Sequence, residues 1–139
     1  MAILVAYDGS GPARKAVEHA IDEYGDREIV LLRVIEAASG STGAGIGLAK
    51  EKMKSLRKEA SGDLSADLDE LFETEGVDLR IEIVFGKPAN QIVEFAEEND
   101  EIEHIIVGSH GRKGMSRMFL GSVAEKVARR ATLPVTITR

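Results

Sequence analysis

A glycine-rich stretch in the last third of the chain constrains this sequence more than any other feature. Residues 105–107 are Ile-Ile-Val, an apolar β-branched run that predicts a buried strand. Gly108-Ser109-His110-Gly111 follows directly, and Gly121-Ser122 opens a run whose apolar residues recur at helical spacing. Glycine lets the backbone approach an anion closely, and the unpaired N–H groups at a helix start point towards it. This order of strand, glycine loop and helix start therefore predicts a phosphate site.

Apolar and amphipathic runs alternate along the rest of the chain. Apolar runs at residues 3–7, 29–35, 79–83, 105–107 and 134–138 predict five strands, and the third alternates with charged residues, as an edge strand does. Helical spacing predicts four helices, over residues 10–25, 46–76, 86–100 and 122–130. His104 is expected at the surface, before the fourth strand. The alternation predicts an α/β fold, a parallel sheet with helices on both faces, in a single domain over residues 1–139.

Charge and composition exclude several classes of protein. The net charge of −6 argues against general binding to nucleic acid or to acidic membranes. From Ile106 onwards the chain has seven basic residues and one acidic residue, so positive charge gathers where the glycine loop lies. The chain has no cysteine, which excludes disulfides and thiolate chemistry. No signal peptide or long apolar span is found, and we expect a cytoplasmic protein.

Two strand ends carry the chemistry of a nucleotide site. Ligands of open α/β sheets bind beyond the carboxyl ends of the strands, where the strand order reverses. Asp8 follows the first strand and Gly108 follows the fourth. A carboxylate suits ribose hydroxyls, and the phosphates are expected over Gly111 and the amides of Gly121, Ser122 and Val123. The alternative for Asp8 is that it only caps the turn at residues 8–10.

The loop after the fourth strand adds basic residues to this site. Arg112 and Lys113 lie between Gly111 and Gly114, which favours an anion site over a plain turn. His110 is expected either to contact phosphate or to position the backbone, and Ser122 is expected to cap the last helix. The sequence has no G-x-x-x-x-G-K-[ST] phosphate loop, no G-x-S-x-G elbow and no activated nucleophile. We assign no catalytic residue and no protein-held metal, so the chain is expected to hold a nucleotide with slow hydrolysis or none.

The chain resembles the universal stress proteins. The resemblance rests on Asp8-Gly9-Ser10, on the helix after Gly86-Lys87-Pro88, and on residues 107–111 together with 121–125. The pattern G-x2-G-x9-G-[ST], which marks the ATP-binding branch of that family, matches in full. The resemblance implies a Rossmann-like fold of the adenine nucleotide alpha hydrolase type with strand order 3-2-1-4-5. It also implies ATP, with Mg²⁺ or Mn²⁺ on its phosphates, and a homodimer formed through residues 135–138.

The resemblance implies a role for each matching residue. The backbone of Val34 would read the adenine edge, and Val107 and Gly108 would flank the ribose. The predicted nucleotide-binding residues are Ala6, Tyr7, Asp8, Val34, Val107, Gly108, His110, Gly111, Arg112, Gly121, Ser122 and Val123. The chain departs from the family pattern at Tyr7, where a smaller residue is common, and at Thr136 and Thr138, where aliphatic residues are usual. Tyr7 would either crowd the crevice or face a helix.

Three functions are compatible with these patterns. The first is an ATP-binding regulatory switch or sensor in a stress response. The second is a slow Mg²⁺- or Mn²⁺-dependent ATPase or autophosphorylating protein, with Ser109 or Ser116 as the acceptor. The third is a dimeric scaffold that binds no nucleotide.

Overall fold

A computed structural model describes residues 1–36, 46–110 and 120–139, with the backbone alone for residues 46–49. The described residues form strands and helices in strict alternation: β1 (Ala2–Ala6), α1 (Gly11–Tyr24), β2 (Glu28–Ile35), α2 (Ile46–Leu71), β3 (Leu79–Phe85), α3 (Pro88–Glu98), β4 (Ile102–Gly108), α4 (Ser122–Arg130) and β5 (Val135–Thr138). All the strands pair in parallel in one sheet, in the order β3-β2-β1-β4-β5. The predicted α/β fold and its strand order are confirmed.

The sheet has a hydrophobic core on each face. Residues 2–5 of β1 are all buried, because this central strand is covered on both sides. On one face Leu4 and Ile105 pack with α3 and α4, and on the other Ile3 and Ile106 pack with α1 and α2. The third strand is an edge strand with charged residues on it, as its alternating pattern predicts.

Three local predictions are wrong. The second helix ends at Leu71 instead of Gly76, because the chain turns there through a Val77 N–H to Thr74 C=O hydrogen bond and a positive φ of 77° at Gly76. The cap of α4 is Gly121, with φ −65° and ψ 155°, and Ser122 is the first helical residue. His104 lies inside β4, half-buried.

His104 joins the last two strands through a side-chain contact. Its Nε2 lies 2.7 Å from the Thr136 hydroxyl, and its ring packs against Tyr24 of α1 with ring centroids 5.5 Å apart. Burial first, and the nearby positive charges of His19 and Arg27, lower the pKa of His104 below its usual value, while Glu103 raises it. The folded chain therefore binds this proton less tightly than the unfolded chain does.

Stability should fall in mild acid because of His104. As the pH drops below about 6.5, the unfolded chain takes up the proton first, so the free energy of unfolding decreases, and above that pH the full stability is present. We expect His104→Asn, which keeps a polar side chain and does not titrate, to lose less stability than the parent between about pH 7.5 and about pH 5. Urea unfolding at both pH values measures the difference. Equal losses in the two proteins would show that His104 has no part in the pH dependence.

Candidate functional site

A cavity of about 470 Å³ opens at the carboxyl ends of β1, β2 and β4, beside the start of α4. The cavity lies at the switch point of the sheet, because β1 has β2 on one side and β4 on the other. Ten of the predicted residues line it: Ala6, Tyr7, Asp8, Val34, Val107, Gly108, His110, Gly121, Ser122 and Val123. The other two, Gly111 and Arg112, lie outside the described residues.

Ser109, which the sequence suggested as a phosphate acceptor, also lines the cavity. So do six residues that the sequence did not suggest for the site, namely Ala13, Leu32, Glu36, Pro88, Ile92 and Ala124. Most are apolar residues whose spacing predicted only a core face. Glu36 is the exception, since it follows β2 directly and adds a second carboxylate to that of Asp8. The signal that would have found Glu36 is its position at a strand end, the same signal that identified Asp8.

Unequal strand lengths turn backbone groups of Val34 into the cavity. β1 ends at Ala6, which pairs with Leu32, while β2 continues to Ile35. The Leu32 C=O accepts from Tyr7 N–H at 3.0 Å, and the Ile35 C=O accepts from Gly86 N–H on the β3 side. Because backbone groups alternate in direction along a strand, the N–H and C=O of Val34 point the same way as those of Leu32, past the end of β1. A donor and an acceptor therefore stand side by side on the cavity wall.

Asp8 caps the turn that follows β1 and also lines the cavity. The Ser10 N–H donates to Asp8 Oδ1 at 2.9 Å, across Gly9 with a φ of 84°. Ser10 in turn caps α1, since its hydroxyl oxygen accepts from the Ala13 N–H. The hydrogen bond expected of a turn cap is therefore present, and this bond holds the Asp8 carboxylate at the cavity wall.

The start of α4 is attached directly to the end of β4. The Gly121 N–H donates to the Ser109 C=O, and the Ser109 N–H donates to the Thr138 C=O at 2.7 Å. The Gly121 amide, which the sequence suggested for phosphate, is therefore engaged within the chain. The amides of Ser122 and Val123 lie in the first turn, where an α-helix has no carbonyl of its own to offer them.

Ser109 and His110 form a polar pair on the cavity wall. The Ser109 hydroxyl lies 2.8 Å from His110 Nδ1, and Ser109 is only 2% exposed. Because both backbone groups of Ser109 are hydrogen-bonded, its side chain holds the neighbouring imidazole in one orientation. His110 itself is half-buried and lines the cavity.

Tyr7 is among the residues that line the cavity, but its side chain extends to α2. Its hydroxyl donates to Asp67 Oδ2 of α2 at 2.8 Å, and its ring packs edge-on against Phe72. Burial first, and the bond to Asp67 second, raise the pKa of Tyr7 to about 12. Of the two alternatives for Tyr7, the structure has it facing a helix.

No three His, Asp or Glu side chains of the described segments are arranged to hold a metal ion. Within the same segments, no helix combines the length and the apolar character needed to cross a membrane.

The chain matches a family model along its whole length. The model describes the universal stress protein family, and the match covers residues 1–139. The chain belongs to the universal stress protein family. Universal stress protein MJ0531 of Methanocaldococcus jannaschii is 34% identical over 140 residues, covering 99% of this chain and 81% of that protein. The predicted family is confirmed.

Solved structures agree on the fold. Universal stress protein UspA from Lactobacillus plantarum has a TM-score of 0.83 at 24% identity, over 100% of this chain and 97% of that one. A universal stress protein solved in complex with cAMP has a TM-score of 0.62 at 25% identity, over 100% and 97% of the two chains.

Proposed function

We propose that this universal stress protein binds ATP in the cavity at the switch point and acts in the cytoplasm as a nucleotide-dependent regulatory switch or sensor in a stress response. The observation that supports this best is that the cavity has polar backbone groups at both of its ends. It offers a backbone donor and acceptor at Val34 at one end and the helix start of α4 at the other. The complex of a similar protein with cAMP supports an adenine nucleotide as the ligand.

The adenine fits the apolar end of the cavity. Val34 C=O accepts from the exocyclic amino group, and Val34 N–H donates to a ring nitrogen. Leu32, Pro88 and Ile92 line this end with apolar surface. A pocket of this kind, apolar with a few polar groups that fix orientation, is typical of cofactor sites.

The ribose and phosphates then follow the wall towards α4. Asp8 accepts from the ribose hydroxyls, and Val107 and Gly108 flank the sugar. The phosphates reach the amides of Ser122 and Val123 and the imidazole of His110, and the resemblance adds Gly111 and Arg112. Because Asp8 and Glu36 repel phosphate, Mg²⁺ or Mn²⁺ on the phosphates would offset this charge.

We expect the protein to bind ATP with a Kd between about 1 mM and about 1 µM. Asp8→Asn keeps the acceptor for the Ser10 N–H and removes the charge at the ribose, so we expect about tenfold weaker ATP binding. Asp8→Asn and the parent should bind 2′,3′-dideoxy-ATP with the same affinity. Titration calorimetry measures both. Equal losses for the two nucleotides would contradict the ribose role of Asp8.

Gly121→Val tests the α4 end of the same site. A Cβ at Gly121 would lie 2.8 Å from the Ser109 carbonyl oxygen, so the substitution must displace the helix start and abolish ATP binding. Gly11→Ala is the matched control, because a Cβ there meets no atom within 4 Å.

ATP at about a hundred times its Kd should raise the free energy of unfolding of parent and control by about 2.7 kcal/mol. If the parent gives neither heat nor a melting shift with ATP, the chain is a scaffold without nucleotide.

Slow phosphoryl transfer is a second candidate, and the Ser109–His110 pair favours it. In this reaction Ser109 Oγ attacks the γ-phosphorus, the bond to the β-phosphate oxygen breaks, ADP leaves, and His110 Nδ1 takes the hydroxyl proton. We expect any phosphate on the protein to be on Ser109 and to be absent in Ser109→Ala, with ATP binding retained. Mass spectrometry after hours with Mg-ATP checks this. A protein that binds ATP but gains no phosphate and releases none is a nucleotide-holding protein only.

The homodimer that we propose forms through the outer edge of β5, which no described strand covers. The Thr136 hydroxyl bonds to His104, and the Thr138 hydroxyl donates to the Pro12 carbonyl at 3.0 Å, so these threonines are engaged within the chain. Since the carbonyls of Pro134 and Thr138 face β4, the backbone groups of Val135 and Ile137 face outwards. An unpaired strand edge is a ready template for a second strand.

Ile137→Pro should convert this dimer to a monomer. Proline removes the outward N–H, and it is tolerated on an edge strand because no bond to β4 is lost. Ile137→Ala is the control, since it shortens the side chain and keeps the N–H, and it should remain dimeric. Light scattering measures the mass. A dimeric Ile137→Pro protein would place the contact elsewhere.

A further inference from the structure

The charges of α2 are segregated along its axis. Its first described half, residues 50–59, has five basic and two acidic side chains, and its second half, residues 60–71, has four acidic and no basic ones. This order opposes the helix dipole, which favours acidic residues near the start and basic residues near the end. The segregation therefore does not stabilise α2 itself.

The outer face of α2 has mostly small side chains and is exposed in the part of the chain that the structure describes. Leu64 and Leu68 are buried against the sheet. On the opposite side lies a row of exposed residues spaced by three or four, which we call the outer seam: Ser55, Lys58, Gly62, Ser65, Ala66 and Asp69. The seam begins in the basic half of the helix and ends in the acidic half.

Gly62, at the middle of the outer seam, packs against no side chain of the described residues. A Cβ there would meet nothing within 4 Å. Glycine inside a helix lowers stability by about 1 kcal/mol relative to alanine. What Gly62 does provide is a place where a second helix backbone can approach closely.

We propose that the outer seam binds a second copy of this chain, with the two α2 helices antiparallel around a twofold axis at Gly62. Gly62 then faces Gly62, and Ser55 faces Asp69 of the other copy. The basic half of each helix lies along the acidic half of the other. The twofold axis therefore produces the same contact twice, as in any isologous interface. The opposed helix dipoles are also favourable in this arrangement.

Charge complementarity selects a second copy over other occupants. An acidic surface such as an anionic bilayer would match residues 50–58 and repel residues 63–70. Only a surface that changes sign along its length matches both halves, and α2 of another copy is such a surface. Since α2 packs beside β3, at the sheet edge opposite β5, this contact is separate from the strand-edge dimer.

Single-cysteine crosslinking tests the proposed axis, because the chain has no cysteine of its own. Helix axes 8–10 Å apart and a Cα radius of 2.3 Å put the facing Cα atoms about 3.5–5.5 Å apart, which overlaps the range of disulfides. We expect Gly62→Cys to form disulfide dimers at least about tenfold faster than Asp63→Cys, since pairing raises the local thiol concentration. Asp63 is the matched control: it is exposed and adjacent, but turned about 100° around the helix. Equal rates would overturn the proposal.

Charge reversal tests the pairing itself. Lys54→Glu with Lys58→Glu makes one variant, and Asp69→Lys with Glu70→Lys makes the other, each in the Gly62→Cys chain. Each variant alone presents like charges to itself and should crosslink no faster than Asp63→Cys. An equal mixture restores complementarity in both contacts, so mixed dimers should form at the Gly62→Cys rate. Variants that crosslink alone at that rate, or a mixture that does not recover, would overturn the pairing.

The Ile137→Pro change added to Gly62→Cys should leave the crosslinking rate of that chain unchanged.

Discussion

The close approach between the end of β4 and the start of α1 determines the shape of the site. A Cβ at Gly108 would lie 2.8 Å from Pro12, so only glycine lets these two elements meet. The Thr138 hydroxyl reaches the Pro12 carbonyl at the same place and ties β5 to the contact. Because Asp8 leads into α1 and Ser109 leads out of β4, this one contact fixes how far the cavity wall at Asp8 stands from the cavity wall at the start of α4. The glycine that suggested a ligand cradle is thus required first by packing within the protein.

The polar backbone groups on the cavity wall come from a difference in length between neighbouring strands. β2 extends beyond the end of β1, and the backbone of Val34 is left facing open space at the sheet's switch point. Backbone groups placed in this way need no particular side chain, so they are insensitive to substitution at Val34 as long as the strand continues. Asp8 and Glu36 add two carboxylates to the same wall.

Most of the fold is readable from the sequence, because strand and helix periods are local properties. The edge position of β3 followed from its alternating charges. Of the ten predicted residues that line the cavity, six followed from strand ends and the glycine motif, and Ala6, Tyr7, Val34 and Val107 came from the family resemblance. The end of α2 was missed because of a local turn, and two other differences involve contacts between residues far apart in sequence. The Gly121–Ser109 bond, which engages a predicted phosphate amide, and the His104–Thr136 contact, which draws a supposed surface residue into the sheet, leave no periodic signal. Glu36 was missed because it belongs to no motif, and predictions for Gly111 and Arg112 fall outside the described residues.

The central position of β1 has a consequence for how the chain folds. Its partner β2 follows within the next thirty residues or so, but its other partner, β4, begins only at Ile102. During synthesis the first three strands can pair while one edge of β1, apolar on both faces, stays uncovered until most of the chain has emerged. Contacts as distant as that between Pro12 and Thr138 must wait longest. The central strand, which supports the cavity, is therefore exposed to wrong pairing for much of synthesis, and slow, non-local closure of the sheet follows from its topology.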